Sequence, residues 1–253
     1  MRTSDRVELS TESVHRLCEA HGLGEPHTFF AGGARYYPLG RRQEADAQLR
    51  RELEAAGVNG VRGVDPGFLE LLEAVQRAAA EFYGWMQDDE GPYSVLTAQA
   101  GRTGVLAQKV GDRVTFERVD PARVLDSFVY RLPNVQASRG EAISVLEADF
   151  AQAAPGGGGF AMSGPRSARV PEARRLDALL KAPRRGGAKL YTAKRNHLGT
   201  RVRAADWLTV IDLPDGRWAL YRARGRGEAA ISAVPGAPQF LRKRLAELHA
   251  TIG

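Results

Sequence analysis

His15, His21 and His27 recur every six residues and are the first residues whose type could hold a metal ion. Six residues turn a helix through about 600°, so successive imidazoles fall on different faces and do not converge on one ion. Cys18 is the only cysteine, which excludes an intrachain disulfide and a cysteine zinc cluster. It lies on the apolar side of a helical pattern, where a buried structural thiol is expected. Asp88-Asp89-Glu90 stand before Gly91-Pro92 and read as a solvated turn. Residues 225–230 fit G-x-G-x-x-A, but strand-like sequence follows where a dinucleotide fold needs a helix. His197 stands beside Arg195 and Asn196 in a polar turn. No nucleophile elbow, zinc-protease helix, kinase set or phosphate loop is present. The chain is therefore read as a non-enzyme that needs no cofactor and no metal.

The remaining chemistry is charge mixed with aromatic rings. The formal net charge is +6, with 36 basic and 30 acidic side chains. Residues 1–130 carry 15 basic and 20 acidic groups, and residues 131–253 carry 21 and 10. Basic clusters occur at Arg184-Arg185, Lys194-Arg195, Arg201-Val202-Arg203, Arg222–Arg226 and Arg242-Lys243-Arg244. Tyr191, Trp207, Trp218 and Tyr221 lie among them on expected strands. Aromatics interleaved with cations suit a single-stranded nucleic acid. They suit an acidic protein partner equally well. A third reading puts the tryptophans in the core and the arginines on a solvated edge.

The elements that must position these groups follow from periodicity. Ser10 can cap a helix carrying Val14, Leu17, Cys18 and His21. A second helix is expected over 42–56, and a third opens at Asp65-Pro66 with Phe68, Leu71, Leu72 and Val75 as its stripe. Segments 81–86, 94–100, 105–110 and 114–119 then read as strands. Their short Gly-containing turns allow only antiparallel hairpins. Asp120-Pro121 starts another helix. Residues 134–170 are weakly patterned, with a short strand at 142–146 and a glycine-rich, flexible join at 153–168. A helix with Leu176, Leu179 and Leu180 follows, then strands at 189–195, 207–213, 217–222 and 229–233, then a helix with Leu241, Leu245 and Leu248.

The order of elements repeats. Residues 1–133 and 171–253 each run from helix through antiparallel strands and a Pro-marked turn to a closing helix. This predicts an α+β fold in one domain: a central antiparallel β-sheet with two helical bundles and a pseudo-twofold internal duplication. At 43% hydrophobic residues, with no run near the roughly 18 apolar residues of a membrane span, the chain is read as soluble. The polar start, Met1 to Arg6, reads as no secretory signal, and a cytoplasmic location is expected.

Several stretches resemble one family. They are Val7-Glu8-Leu9-Ser10, Tyr83-Gly84-Trp85, the run 105–112, Leu132-Pro133, Arg174-Arg175-Leu176 with Leu179-Leu180, the run 207–212, and Gly216-Arg217-Trp218. In this order, over about residues 7–250, they resemble the EspG family, cytosolic chaperones of actinobacterial type VII (ESX) secretion. The Arg- and Ala-rich style is that of members outside the mycobacteria. The resemblance implies the same fold, no catalysis, and a monomer or homodimer. It also implies binding of the apolar tip of a helical-hairpin substrate, a PE–PPE pair or a WxG-type protein, which keeps the substrate soluble and directs it to its secretion system. Tyr191, Lys194, Arg195, Trp207, Asp212 and Arg242 are the candidate contact residues. The other reading of the basic half is a nucleic-acid surface.

Overall fold

The structure is a computed structural model and describes residues 6–32, 39–61, 63–153, 170–224 and 228–253. Most of the glycine-rich join and the turn at 225–227 lie outside these residues. The first half runs β1 (Arg6–Ser10), α1 (Thr11–Ala20), α2 (Leu39–Ala55), β2 (Asn59–Gly60), β3 (Gly63–Val64), α3 (Pro66–Gln76), β4 (Ala80–Asp88), β5 (Gly91–Ala100), β6 (Thr103–Val110), β7 (Arg113–Val119) and α4 (Val124–Tyr130). The second runs β8 (Ile143–Leu146), α5 (Glu147–Ala153), α6 (Val170–Lys181), β9 (Gly186–Arg195), β10 (Arg201–Arg203), β11 (Leu208–Leu213), β12 (Gly216–Arg224), β13 (Ala229–Pro235) and α7 (Pro238–Ala250). No helix among the described residues is long and apolar enough to cross a membrane.

Local chemistry sets these boundaries. Ser10 Oγ accepts from Ser13 N–H at the start of α1, and Asp65 caps α3 with Pro66 in its first turn. Gly101 and Gly111 hold the left-handed first position of two-residue hairpin turns, which a residue with a Cβ rarely adopts. Strand β1 is not legible as a strand, because five residues leading straight into a helix cap carry too short an alternation. Helix α5 falls in the weakly patterned stretch.

Eleven strands form one antiparallel sheet in the order β1-β7-β6-β5-β4-β9-β11-β12-β13-β8, with β10 on the end of β9. Read inward from either edge, the two halves have the same order: β1-β7-β6-β5-β4 and β8-β13-β12-β11-β9. Helices cover the sheet unevenly. On one face α1 to α3 pack over the first half, burying Leu9, Leu17, Phe68, Leu72, Leu96 and Phe116 together. On the same face at the other end, α5 and α6 pack over Val145, Ile211, Trp218 and Leu220. On the opposite face α4 and α7 cover the middle, with Phe82, Val95, Leu190 and Leu208 beneath Phe128, Leu241 and Leu245. The middle of the first face, over β4 and β9, is left between the two helical clusters.

Candidate functional site: an aromatic groove on the central strands

Strand pairing builds the floor of this gap rung by rung. Residues directly opposite on adjacent strands point to the same face. Tyr83 on β4 faces Tyr191 on β9, and Trp207, the residue just before β11, lies beside Tyr191 on the same side. The next rung holds Trp85, Lys189 and Thr209. The rung on the other side holds Glu81, Ala193 and Arg203. The pairing register of β9 slips by two residues between β10 and β11, an even number, so Arg203 and Trp207 share the open face.

The rings form one connected patch. Tyr83 and Tyr191 stack at 5.4 Å, and Trp85 stands edge-on to both at 5.6 and 5.5 Å. Trp207 lies 6.4 Å from Tyr191. Tyr83 is buried, but Trp85 and Trp207 keep 45% and 44% of their surface exposed, high values for residues that usually anchor cores. Arg203 sits over the Tyr191 ring at 5.1 Å and Arg201 over Tyr83 at 5.0 Å.

Tyr83 is braced from below. The buried Glu81 carboxylate accepts from Arg201 Nε at 2.8 Å and faces His27 Nε2 at 3.0 Å. His27 Nδ1 already accepts from Phe29 N–H, so Nε2 is the donor to Glu81. Burial alone would push the Glu81 carboxyl up. The hydrogen bonds from His27 and Arg201, with the charge of Arg201, outweigh it and hold the carboxyl below the usual range.

This arrangement can bind, and it offers no catalytic set. A hydroxyl–imidazole pair does occur on the opposite face, where Thr192 Oγ1 and His249 Nδ1 are 2.8 Å apart. Thr192 is fully buried and donates to the Glu81 carbonyl, so it serves the packing of α7. Among the described residues no cluster of His, Cys, Asp or Glu could hold a metal.

The EspG family model matches residues 10–247. The chain belongs to the EspG family. No curated protein matches its sequence. Among solved structures, it is similar to EspG5 of Mycobacterium tuberculosis, the type VII secretion system chaperone, solved in complex with the PE25–PPE41 dimer. The TM-score is 0.68 at 14% identity, covering 96% of this chain and 95% of EspG5. At that identity the likeness is one of fold.

The sequence-derived candidates in this EspG-family chain do not converge on one place. Tyr191 and Trp207 lie in the groove, and Trp207 is half exposed where core packing was the other reading. Arg195 ties the β9–β10 turn to the end of α3, donating to the carbonyls of Gly199 and Gln76. Lys194 points to the opposite face, toward His249. Asp212 is buried and accepts two hydrogen bonds from Arg217, at 2.7 and 2.8 Å. Arg242 pairs with Asp126 at 2.7 Å, beside Tyr130 in a cleft of about 450 Å³ on the opposite face. Trp218 is buried under α5 and α6.

The groove residues outside the candidate set are Tyr83, Trp85, Lys189 and Arg203. Their signal was present: Tyr83-Gly84-Trp85 puts two aromatics on one strand face, and Lys189 and Tyr191 share a face likewise. Which face lies open depends on where the helices land, and strand alternation does not encode that.

Proposed function

We propose that this EspG-family chain is a non-catalytic, cytosolic chaperone of type VII secretion. It seats the apolar tip of a helical-hairpin substrate, of the PE–PPE kind, in the groove over β4, β9 and β11. The observation that carries the reading is the half-exposed pair Trp85 and Trp207 around Tyr191, on a stretch of sheet between the helical clusters. Tryptophan, tyrosine and arginine are the residues that most often dominate interface energies. An exposed apolar tip on a long hairpin would self-associate, and a chaperone that covers it reversibly prevents this. Three strands about 4.8 Å apart give a floor roughly 14 Å wide. A helix with its side chains is about 10–12 Å across, so the floor has the width for one helix of a hairpin tip.

The test is co-expression with the small helical-hairpin proteins encoded beside the chain's own gene, followed by size-exclusion chromatography with light scattering. A stoichiometric complex is expected. Trp85→Ala and Trp207→Ala are expected to weaken it by about 2 kcal/mol each, the scale of a hot spot. Their exposure predicts folding stability within about 1 kcal/mol of the unmodified protein. Failure of every hairpin candidate to bind overturns the reading.

Arg203 over Tyr191, with Lys189 one rung from that tyrosine, favours one second reading: a platform for single-stranded nucleic acid. It predicts retention of an oligonucleotide that falls steeply as salt rises.

A further inference from the structure

We infer that the hairpin tip this groove accepts is acidic as well as apolar, with carboxylates that meet Lys189 and Arg203 beside Tyr191. The inference rests on the reading of the groove as a hairpin site and specifies the occupant. Lys189 and Arg203 flank Tyr191 along the strands, one rung to each side, and both are exposed on the open face. Neither has a carboxylate partner among the described residues; Arg203 lies over the Tyr191 ring. The acids that border the groove are engaged elsewhere. Glu81 is held by His27 and Arg201, Glu147 pairs with Arg222, and Asp206 lies within electrostatic reach of Arg222. Among the described residues the groove therefore offers two cations without a carboxylate partner, beside a desolvating aromatic floor. A partner that covers them without opposite charge would bury unpaired cations, which is unfavourable. A carboxylate at each end removes that penalty and sets the orientation of the tip.

The spacing makes the partner recognisable. The rungs that carry the two cations are four residues apart, about 13 Å along the strands at the backbone, and the Arg203 guanidinium reaches back over the Tyr191 ring, which brings the charges closer together than that. On a helix, residues four to seven apart are about 6–10 Å apart along the axis. The tip should carry two acidic residues one to two helical turns apart, with a large apolar residue on the same face.

The experiment uses the full chain and the neighbouring-gene hairpin protein that co-purifies with it. Lys189→Glu and Arg203→Glu should each raise Kd about tenfold. Changing the matching acid of the hairpin to lysine should restore binding to the Glu variant while weakening it to the unmodified chain. The affinity of the unmodified pair should fall with salt more steeply than that of the double variant. Unchanged Kd in both Glu variants, with Trp85→Ala still disrupting the complex, overturns this inference and leaves the chaperone reading standing. Absence of any complex with the unmodified chain overturns both. Melting curves of the two exposed-site variants should match the unmodified protein, so loss of binding reports the groove.

Discussion

Tyr83 and Tyr191 face each other across the strands where the two halves of the sheet meet, with ring centroids 5.4 Å apart and planes 20° from parallel. Each comes from the innermost strand of its half, so one stacked pair both joins the halves and forms the floor of the groove. The two rings differ in exposure: Tyr83 is tucked against His27 and Arg201 and is buried, while Tyr191, beneath Arg203 and beside the two tryptophans, is only partly buried.

The joint depends on a glycine. Gly84 lies between Tyr83 and Trp85 and points to the opposite face, where a Cβ would come within 2.7 Å of the Lys189 carbonyl oxygen and 2.9 Å of the Leu190 side chain. Backbone cannot yield as a side chain can. Gly84→Ala should therefore push β4 off β9 and destabilise the fold by about 1–3 kcal/mol. Urea unfolding should show a lower midpoint, and partner binding should weaken with it, because the groove spans this joint.

Glu81 gives the chain an acid-sensitive brace. Its carboxyl titrates below the ordinary value of 4.5, so its contribution to stability is present above about pH 4.5 and is lost as the pH falls through the folded value. Glu81→Gln should cost about 1–3 kcal/mol at neutral pH, because it leaves the partly buried Arg201 beside a neutral group. It should also flatten the decline in melting temperature below pH 4.5. Equal acid sensitivity in both proteins would assign that decline to other carboxylates.

Asp212 and Arg217 form a buried pair, each with 3% of its side chain exposed. Asp212→Ala should cost about 3–5 kcal/mol, because a guanidinium is then buried without its partner. Replacing both with apolar residues of similar volume should recover most of the loss, as measured by urea unfolding of the single and double variants. Partner binding should be unchanged in the folded double variant, since the pair lies away from the groove.

Cys18 is fully buried among the helices of the first half, and burial pushes its thiol up to about 11. At pH 8 the native chain should not react with a disulfide reagent such as Ellman's. One thiol per chain should react after unfolding in urea. Fast reaction in the native state would mean that α1 and α2 open readily.

The sequence by itself determined the local grammar of this protein. Alternation in residues 94–119 and 207–222, glycines at the turns, and capping by Ser10, Asp65 and Asp120 mark most strands and helices, because each depends on neighbours a few residues away. The ordered run of stretches from Val7 to Trp218 carried the family, and the family model agrees over residues 10–247. Composition showed a basic second half but not where its charge is free. Arg217, Arg222 and Arg242 are neutralised by acids 5, 75 and 116 positions away in the chain, while Lys189 and Arg203 have no carboxylate partner among the described residues. The tertiary structure alone decided that Trp218 is core and Trp207 is surface, although both stand on alternating strands among arginines. The reason is physical: alternation assigns a side chain to a face of the sheet, but only the packing of α1 to α3 and α5 to α6 decides which part of that face remains open to a partner.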